Sequence, residues 1–294
     1  MHAKRVLVTG ATGHIGRQVV DQLRGTGCQI RALTRNPESA DLPREVEVVR
    51  GDLAAADTLD AALTGVDAVF LVWLAPLAAA PGALERIAAH AERLVLLTSP
   101  HNVPHPFFQQ PNAMRSVHAG LERLIEASTL QWTFLRPTVF AVNCRHWWAP
   151  QIAKGNIVRW FHADAATSPI HERDVAAVAV RALRDGGYAS REYVLTGPES
   201  LTQRQQVEII GQAIGRPLVF EELSPDAARQ ELSMIMPVAI ADMLLTAFGA
   251  AVDRPAHLTT TVADLTGTPA RRFHDWAVEN AAAFELLSPR AGVS

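Results

Sequence analysis

The sequence predicts a doubly wound α/β fold, a parallel sheet with helices on both faces, carrying a smaller, mainly helical C-terminal cap. Three observations predict it. The chain opens on an apolar run, Val6-Leu7-Val8, that ends in a glycine-rich turn and passes at once into an amphipathic segment marked by Ile15, Val19, Val20 and Leu23. Apolar strand-like runs then alternate with helix-like periodicity as far as Pro137. Beyond Pro137 the alternation gives way to tryptophan-rich and helical segments. The 294 residues, 48% hydrophobic and 19% charged, suffice for one large domain or two smaller ones.

Taken in order, the first strand–turn–helix carries Gly10, Gly13 and Gly16. Gly10 permits the sharp turn, Gly13 leaves backbone room for a pyrophosphate, and Gly16 lets the helix pack close to the strand. Amides at the helix N-terminus then face an anion, and the helix dipole reinforces them. The spacing G-x-x-G-x-x-G differs by one residue from the dinucleotide fingerprint G-x-G-x-x-G, and its place between strand and helix gives it meaning. Gln29–Thr34 reads as the second strand, Val46–Val49 as the third, and Leu59–Leu63 as a short helix. Asp67–Leu74 is nearly continuously apolar, as a strand covered on both faces must be. Leu84–Ala91 follows as a helix and Leu94–Thr98 as the fifth strand. Pro100–Pro111, rich in Pro, His and Asn, reads as a loop. Asn112–Ala127 has helical periodicity, and Thr133–Leu135 is the sixth strand.

Farther on, a helix over Asp174–Leu183 and a strand over Tyr193–Leu195 are expected to return to the main sheet. Thr202–Ile214, Pro225–Leu232, Val238–Phe248 and Ala270–Leu286 read as helices. The expected division is 1–140 plus 170–196 for a dinucleotide-binding domain and 141–169 plus 197–294 for a substrate-binding cap. Ligands of open α/β sheets lie outside the carboxyl ends of the strands, where such a cap closes.

Net charge is −3 and the pI about 6.4, which leaves no electrostatic footprint for nucleic acid. No apolar run approaches the ~20 residues that cross a bilayer. Cys28 and Cys144 form no metal or redox motif, and no signal-peptide pattern opens the chain, so a cytoplasmic setting is expected. The oligomeric state stays open.

Thr9-Gly10-Ala11-Thr12-Gly13-His14-Ile15-Gly16, Leu33-Thr34-Arg35-Asn36-Pro37, Gly51-Asp52-Leu53, Leu135-Arg136-Pro137, Asp174-Val175-Ala176 and Leu195-Thr196-Gly197-Pro198 occur in that order. Together they resemble the NmrA-like branch of the atypical short-chain dehydrogenase/reductases, over nearly the whole chain. The resemblance implies a Rossmann domain that binds NADP(H). Its members include quinone reductases, other NADPH-dependent reductases, tailoring enzymes of aromatic natural products, and nucleotide-binding proteins with no known reaction.

Gly10, Thr12, Gly13, His14 and Ile15 make the expected phosphate loop, with His14 in a contact role rather than a catalytic one. A carboxylate at the end of the second strand would bind a ribose 2′-hydroxyl and repel a 2′-phosphate. None stands between Ile30 and Asn36; Arg35 does, and its guanidinium can fork onto phosphate and stack on adenine. NADP(H) is therefore expected over NAD(H). By the resemblance, Asp52 and Leu53 reach adenine, although an aspartate here equally suits a turn cap. Val72, Trp73 and Thr98 close the fourth and fifth strands beside the expected ribose and nicotinamide, and Pro137 and Phe140 lie on the nicotinamide side.

The reaction is less defined. The common reductase pair Tyr-x-x-x-Lys lies on one helix face. With Glu122 and Leu124–Ser128 aligned to the resembling helix, its two positions hold Met114 and His118. Of the two tyrosines, neither Tyr188 nor Tyr193 heads such a motif. Ser99, His101 and His118 are the candidate catalytic residues, with His105 nearby. No metal is expected, since Pro104 separates His101 from His105 and no carboxylate completes a ligand set. Trp147-Trp148 with Trp160-Phe161 read either as cap core or as a flat wall for an aromatic substrate, with Phe140, Asn143 and Trp147 as substrate contacts. A quinone-like or aromatic acceptor, aromatic polyketides included, asks less of a protein acid than a simple ketone does. Three readings stay open: an NADPH-dependent oxidoreductase acting on such a molecule; an NADP(H)-binding sensor without turnover; and a polyketide-tailoring oxygenase or cyclase on the same fold.

Overall fold

The computed structural model describes residues 4–285. The chain begins β1 (Arg5–Thr9), α1 (His14–Leu23), β2 (Gln29–Thr34), β3 (Glu47–Arg50), α2 (Asp60–Leu63), β4 (Ala68–Val72), α3 (Ala80–His90), β5 (Arg93–Leu97), α4 (Pro106–Gln109), α5 (Ala113–Glu126) and β6 (Gln131–Pro137). Past β6 come α6 (Asn143–Trp147), α7 (Ala149–Ile152), β7 (Ile157–Trp160), β8 (Ala166–Thr167), α8 (Glu172–Arg184) and β9 (Arg191–Leu195). The remainder is β10 (Leu201–Thr202), α9 (Gln203–Ala213), β11 (Val219–Glu222), α10 (Pro225–Ser233), α11 (Val238–Gly249), α12 (Thr261–Thr266) and α13 (Phe273–Glu279).

The main sheet runs β3-β2-β1-β4-β5-β6-β9, with every pair parallel. Its strand order reverses between β1 and β4, the place where open sheets of this kind take ligands outside the carboxyl ends of the strands. Strand residues alternate between two cores, as the period of two requires. Val6, Val8, Phe70 and Val95 face α1 and α8, while Leu7, Leu71, Leu96 and Phe134 face α3 and α5. Full burial of such a side chain contributes about 1.5–3 kcal/mol, so both faces hold the sheet.

A third core, around Trp148, Trp160, Phe161, Phe248, Phe273 and Trp276, belongs to the C-terminal part. That part is mainly helical but also holds two small strand pairs, parallel β7–β11 and antiparallel β8–β10. Ile157 and Arg159 are exposed while Val158 and Trp160 are buried, an alternation too short to stand out in the sequence. Within the expected loop 100–111, Pro106 starts the short α4, because the His105 ring Nδ1 accepts from the Phe107 amide at 3.3 Å. The single helix expected over Ala270–Leu286 is instead α13 followed by a 3-10 turn, Ala281–Phe284. Asn280 ends α13 by donating its side-chain amide to the Trp276 carbonyl at 2.9 Å. Leu286 lies outside the described residues. Val262 and Leu265, grouped with the cap by the sequence division, pack in the core shared by α1 and α8. No described helix is long and apolar enough to cross a membrane.

Candidate active site

The turn after β1 is built for close backbone approach. Gly10 has φ +62°, a left-handed conformation that strains other residues. A Cβ on Gly16 would sit 2.1 Å from the Gly10 carbonyl oxygen, so only glycine lets α1 lie this near the turn. Gly13 differs: its backbone is extended (φ −82°, ψ 171°) and a Cβ there would meet only the Gly10 oxygen, at 3.3 Å. The fold squeezes that position mildly, and the missing side chain leaves open space above the helix. Gly13 is also the N-cap of α1 and supplies no side-chain cap, and the first turn holds no acidic residue. The first amides of α1 are thus left for an anion. Thr12 and His14 are exposed beside them. Ile15 is buried in the core, so its contribution here is its backbone amide.

Arg35 lies just past β2 and is exposed; among the described residues its guanidinium has no partner. Its carbonyl accepts from Arg50, which also pairs with Glu38 at 3.0 Å. The nearby carboxylate is thereby occupied. Asp52 caps its own turn, Oδ1 accepting from the Ala54 amide at 2.9 Å. Leu53 is half-buried against the α3 side of the sheet, and Val72 is half-buried against the α1 side. Trp73 turns its ring into the core, 3% exposed, so its side chain does not reach the crevice as expected. Thr98 is likewise buried, its hydroxyl donating to Glu122 at 2.5 Å.

At the carboxyl ends of β5 and β6 a cavity of about 300 Å³ brings together Ser99, His101, His118, Pro137, Phe140, Asn143 and Trp147. All seven were singled out in the sequence. The His118 Nδ1 lies 2.8 Å from the Ser99 hydroxyl oxygen. Burial holds the His118 imidazole below its ordinary value, with Glu122 opposing and His101 and Arg136 adding to the shift. Behind this pair, Arg136 donates to both Glu122 oxygens at 2.9 Å, to the Ser99 carbonyl at 2.9 Å and to His101 Nδ1 at 3.3 Å. An arginine N–H only donates, so His101 carries its proton on Nε2, which faces Glu122 at 3.5 Å. Burial keeps His101 below its usual value as well. His101 is thus a neutral brace, and His118 is the imidazole with a free approach to the cavity through Ser99.

The tryptophan question divides. Trp148, Trp160 and Phe161 are core, whereas Trp147 lines the cavity, stacked on Trp160 (5.9 Å, 27°) and edge-on to Phe248 (6.0 Å, 83°). From the same helix as Trp147, His146 reaches back over the glycine turn, its Nε2 3.3 Å from that of His14.

A family model described as NAD(P)H-binding matches residues 10–186. The chain belongs to this NAD(P)H-binding family. Among its relatives, the (4-alkanoyl-5-oxo-2,5-dihydrofuran-3-yl)methyl phosphate reductase of Streptomyces griseus is 40% identical over 285 residues, covering 95% of this chain and 99% of that protein. The NAD(P)H azoreductase of Xenophilus azovorans is 32% identical over 291 residues, covering 95% and 99%. The NADPH-dependent quinone oxidoreductase of Escherichia coli, solved with NADPH, has the same fold: TM-score 0.77, 22% identity, 93% of this chain and 99% of that one. The chain is an NAD(P)H-dependent oxidoreductase, and its fold is the one the resemblance implied, shared with an NmrA structure at TM-score 0.75 and 16% identity.

An NAD(P)H-binding family member needs room for a diphosphate at the glycine turn, and the turn fits: uncapped amides, a side-chain-free Gly13 and an α1 start without carboxylates. Sequence reasoning missed the cavity's far wall, Phe107 and Phe108 from the expected loop and Met243, Leu244 and Phe248 from α11. It also missed the buried Glu122–Arg136 pair, although both residues were in view. An acid inside a helix and a base before a proline, 14 residues apart, were the only signal.

Proposed function

We propose that the chain reduces a flat, conjugated acceptor, quinone-like or aromatic, with NADPH preferred to NADH. The observation that carries this is the His118–Ser99 pair opening onto an aromatic-walled cavity at the strand ends. Aromatic polyketides and unsaturated lactones belong to the same class of acceptor. The relatives named above act on a dihydrofuranone phosphate, azo compounds and quinones, all conjugated. The glycine turn would hold the pyrophosphate, Arg35 the 2′-phosphate, and the Pro137–Phe140 segment the nicotinamide side. When bound, NADPH supplies the hydride. Trp147, Phe140 and Phe248 hold the acceptor ring flat and keep water from it. Asn143 offers a directional polar contact. Ser99 hands a proton to the acceptor oxygen and recovers one from His118 Nδ1. A depressed His118 is scarcely protonated at neutral pH, which suits an acceptor whose reduced anion is already stabilised. NADPH consumption with a panel of quinones and unsaturated lactones tests the reading; no stimulation by any of them would sink it.

Two expected results follow from these roles. Arg35→Ala weakens NADPH by more than about tenfold, the value of one charge-assisted contact, and leaves NADH nearly unchanged in calorimetry. Equal loss for both would overturn the assignment. For His118 the sign runs toward acid, because the donor is the imidazolium and burial holds its value below that of an ordinary imidazole. Thus kcat/KM on a quinone rises as pH falls through that value and levels off below it. His118→Gln removes this limb and lowers the plateau by about a hundredfold. A profile that is flat in both proteins would remove His118 from the chemistry.

A further inference from the structure

Arg115 stands one turn before His118 on α5, and both line the acceptor cavity. It is partly buried. Among the described residues, every other partly or fully buried arginine has a partner. Arg5 has Gln29, Arg17 has Asp41, Arg31 has Glu47, Arg136 has two glutamates, Arg271 has Asp174, Arg204 has Asp164, and Arg93 and Arg216 have carbonyl oxygens. Among the described residues Arg115 has none, and no Asp or Glu of them lines the cavity. No Arg115 nitrogen is among the buried side-chain atoms without a partner, so its charge stands open at the cavity and is not answered from within the fold. Asn112 stands beside it on the same rim, its Oδ1 committed to the Met114 amide, which leaves its NH2 donors for the cavity. Met243, Leu244, Ala247 and Phe248 of α11 supply an apolar stretch of the lining. The cavity therefore offers both an unpaired cation and a greasy surface.

We propose that Arg115 seats an anionic substituent of the substrate, a phosphate monoester, while the conjugated ring lies against the aromatic wall. This rests on the reading of the cavity as the acceptor site. A planar guanidinium takes two oxygens of a phosphate at once, and the Asn112 amide can donate to the third. A carboxylate has no third oxygen, and a dianion gains more from the unpaired charge. The anchor fixes which face and edge of the ring point at Ser99, which a flat wall alone does not.

The test uses 1-naphthyl phosphate, 1-naphthoate and 1-naphthol as probes, titrated by calorimetry into protein saturated with NADP+ so that the dinucleotide site is filled. The phosphate should bind at least about tenfold more tightly than naphthol, with naphthoate between them. Arg115→Gln should erase the phosphate's advantage and leave naphthol binding as it was. Arg115→Lys, which keeps the charge and loses the fork, should retain part of it. Phosphate and naphthol binding alike would overturn the proposal, as would an advantage that survives Arg115→Gln. Naphthoate equal to the phosphate would overturn the choice of phosphate, and a phosphate advantage seen only in protein without NADP+ would place the probe at the dinucleotide turn instead. Failure of the acceptor-site reading looks different: naphthol binding would then be indifferent to Trp147→Ala.

Discussion

Arg136→Met is expected to lower stability by about 3–5 kcal/mol, a drop in melting temperature on the order of 10 °C. Arg136 is 3% exposed and sits at the end of β6 between Glu122 and Glu192. The two bridges are not equal. The Glu192 side chain is half in water, so its bridge is screened and contributes little. Glu122 is buried, and without the arginine it is left with the Thr98 hydroxyl and the His101 and His118 imidazoles, both held toward the neutral form by burial. The cost is therefore that of an orphaned carboxylate rather than of a lost attraction. It follows that Glu122→Gln combined with Arg136→Met should recover most of the loss, because the double variant leaves no charge unpaired. Denaturant midpoints of the two single variants and the double variant measure this directly. A double variant no more stable than Arg136→Met alone would show that packing, not charge, holds the site. The same arginine grips the Ser99 carbonyl and His101, so the single variant should lose turnover even at temperatures where it stays folded.

What could be read from the sequence was set by range. The glycine turn, the apolar β4 and the amphipathic α1 state their structure within a dozen residues, and each lies where the local pattern puts it. The seven residues that meet in the cavity were legible because strand ends of a doubly wound sheet converge, so each candidate was placed by topology. The direction of the Trp73 side chain is not legible in the sequence, for a related reason. Topology puts the residue after β4 at the crevice, but rotamer and packing send a large apolar ring into the core. The far wall depends on α11 folding back from residue 243 onward against α4 at Phe107, a contact with no sequence pattern of its own. Helix α11 is apolar on most faces, so its periodicity does not say which one lines a site. Arg115 carries no signal in the sequence, since a single arginine on a helix is ordinarily solvated; only its surroundings, the cavity and the missing partner, mark it.

Gly16→Ala should keep the fold and weaken NADPH binding by about a hundredfold. Alanine is the better helix former by about 1 kcal/mol, so a position near the start of α1 would ordinarily welcome it. Here the added Cβ would lie 2.1 Å from the Gly10 oxygen, 2.6 Å from the Gly10 carbonyl carbon and 2.9 Å from the Ala11 Cα. All three are backbone, and none can swing aside as a side chain would. Either the turn or the first turn of α1 must move, and overpacking of this kind costs about 1–3 kcal/mol, part of it offset by helix propensity. Net stability therefore changes little, while the amides that face the diphosphate are displaced together. Each hydrogen bond to a charged oxygen is worth about 1.5–3 kcal/mol, so the loss of one or two good ones already gives the hundredfold. Gly10→Ala separates the causes: it strains a left-handed backbone and presses on Val72 at 3.2 Å without forcing α1 away from the strand. That variant should lose more stability and less affinity than Gly16→Ala. Melting curves with and without NADPH resolve the two, since a variant that has lost only the site melts near the unliganded parent and gains nothing from the nucleotide. Full nucleotide protection in Gly16→Ala would mean that the tight approach of helix to turn serves packing alone.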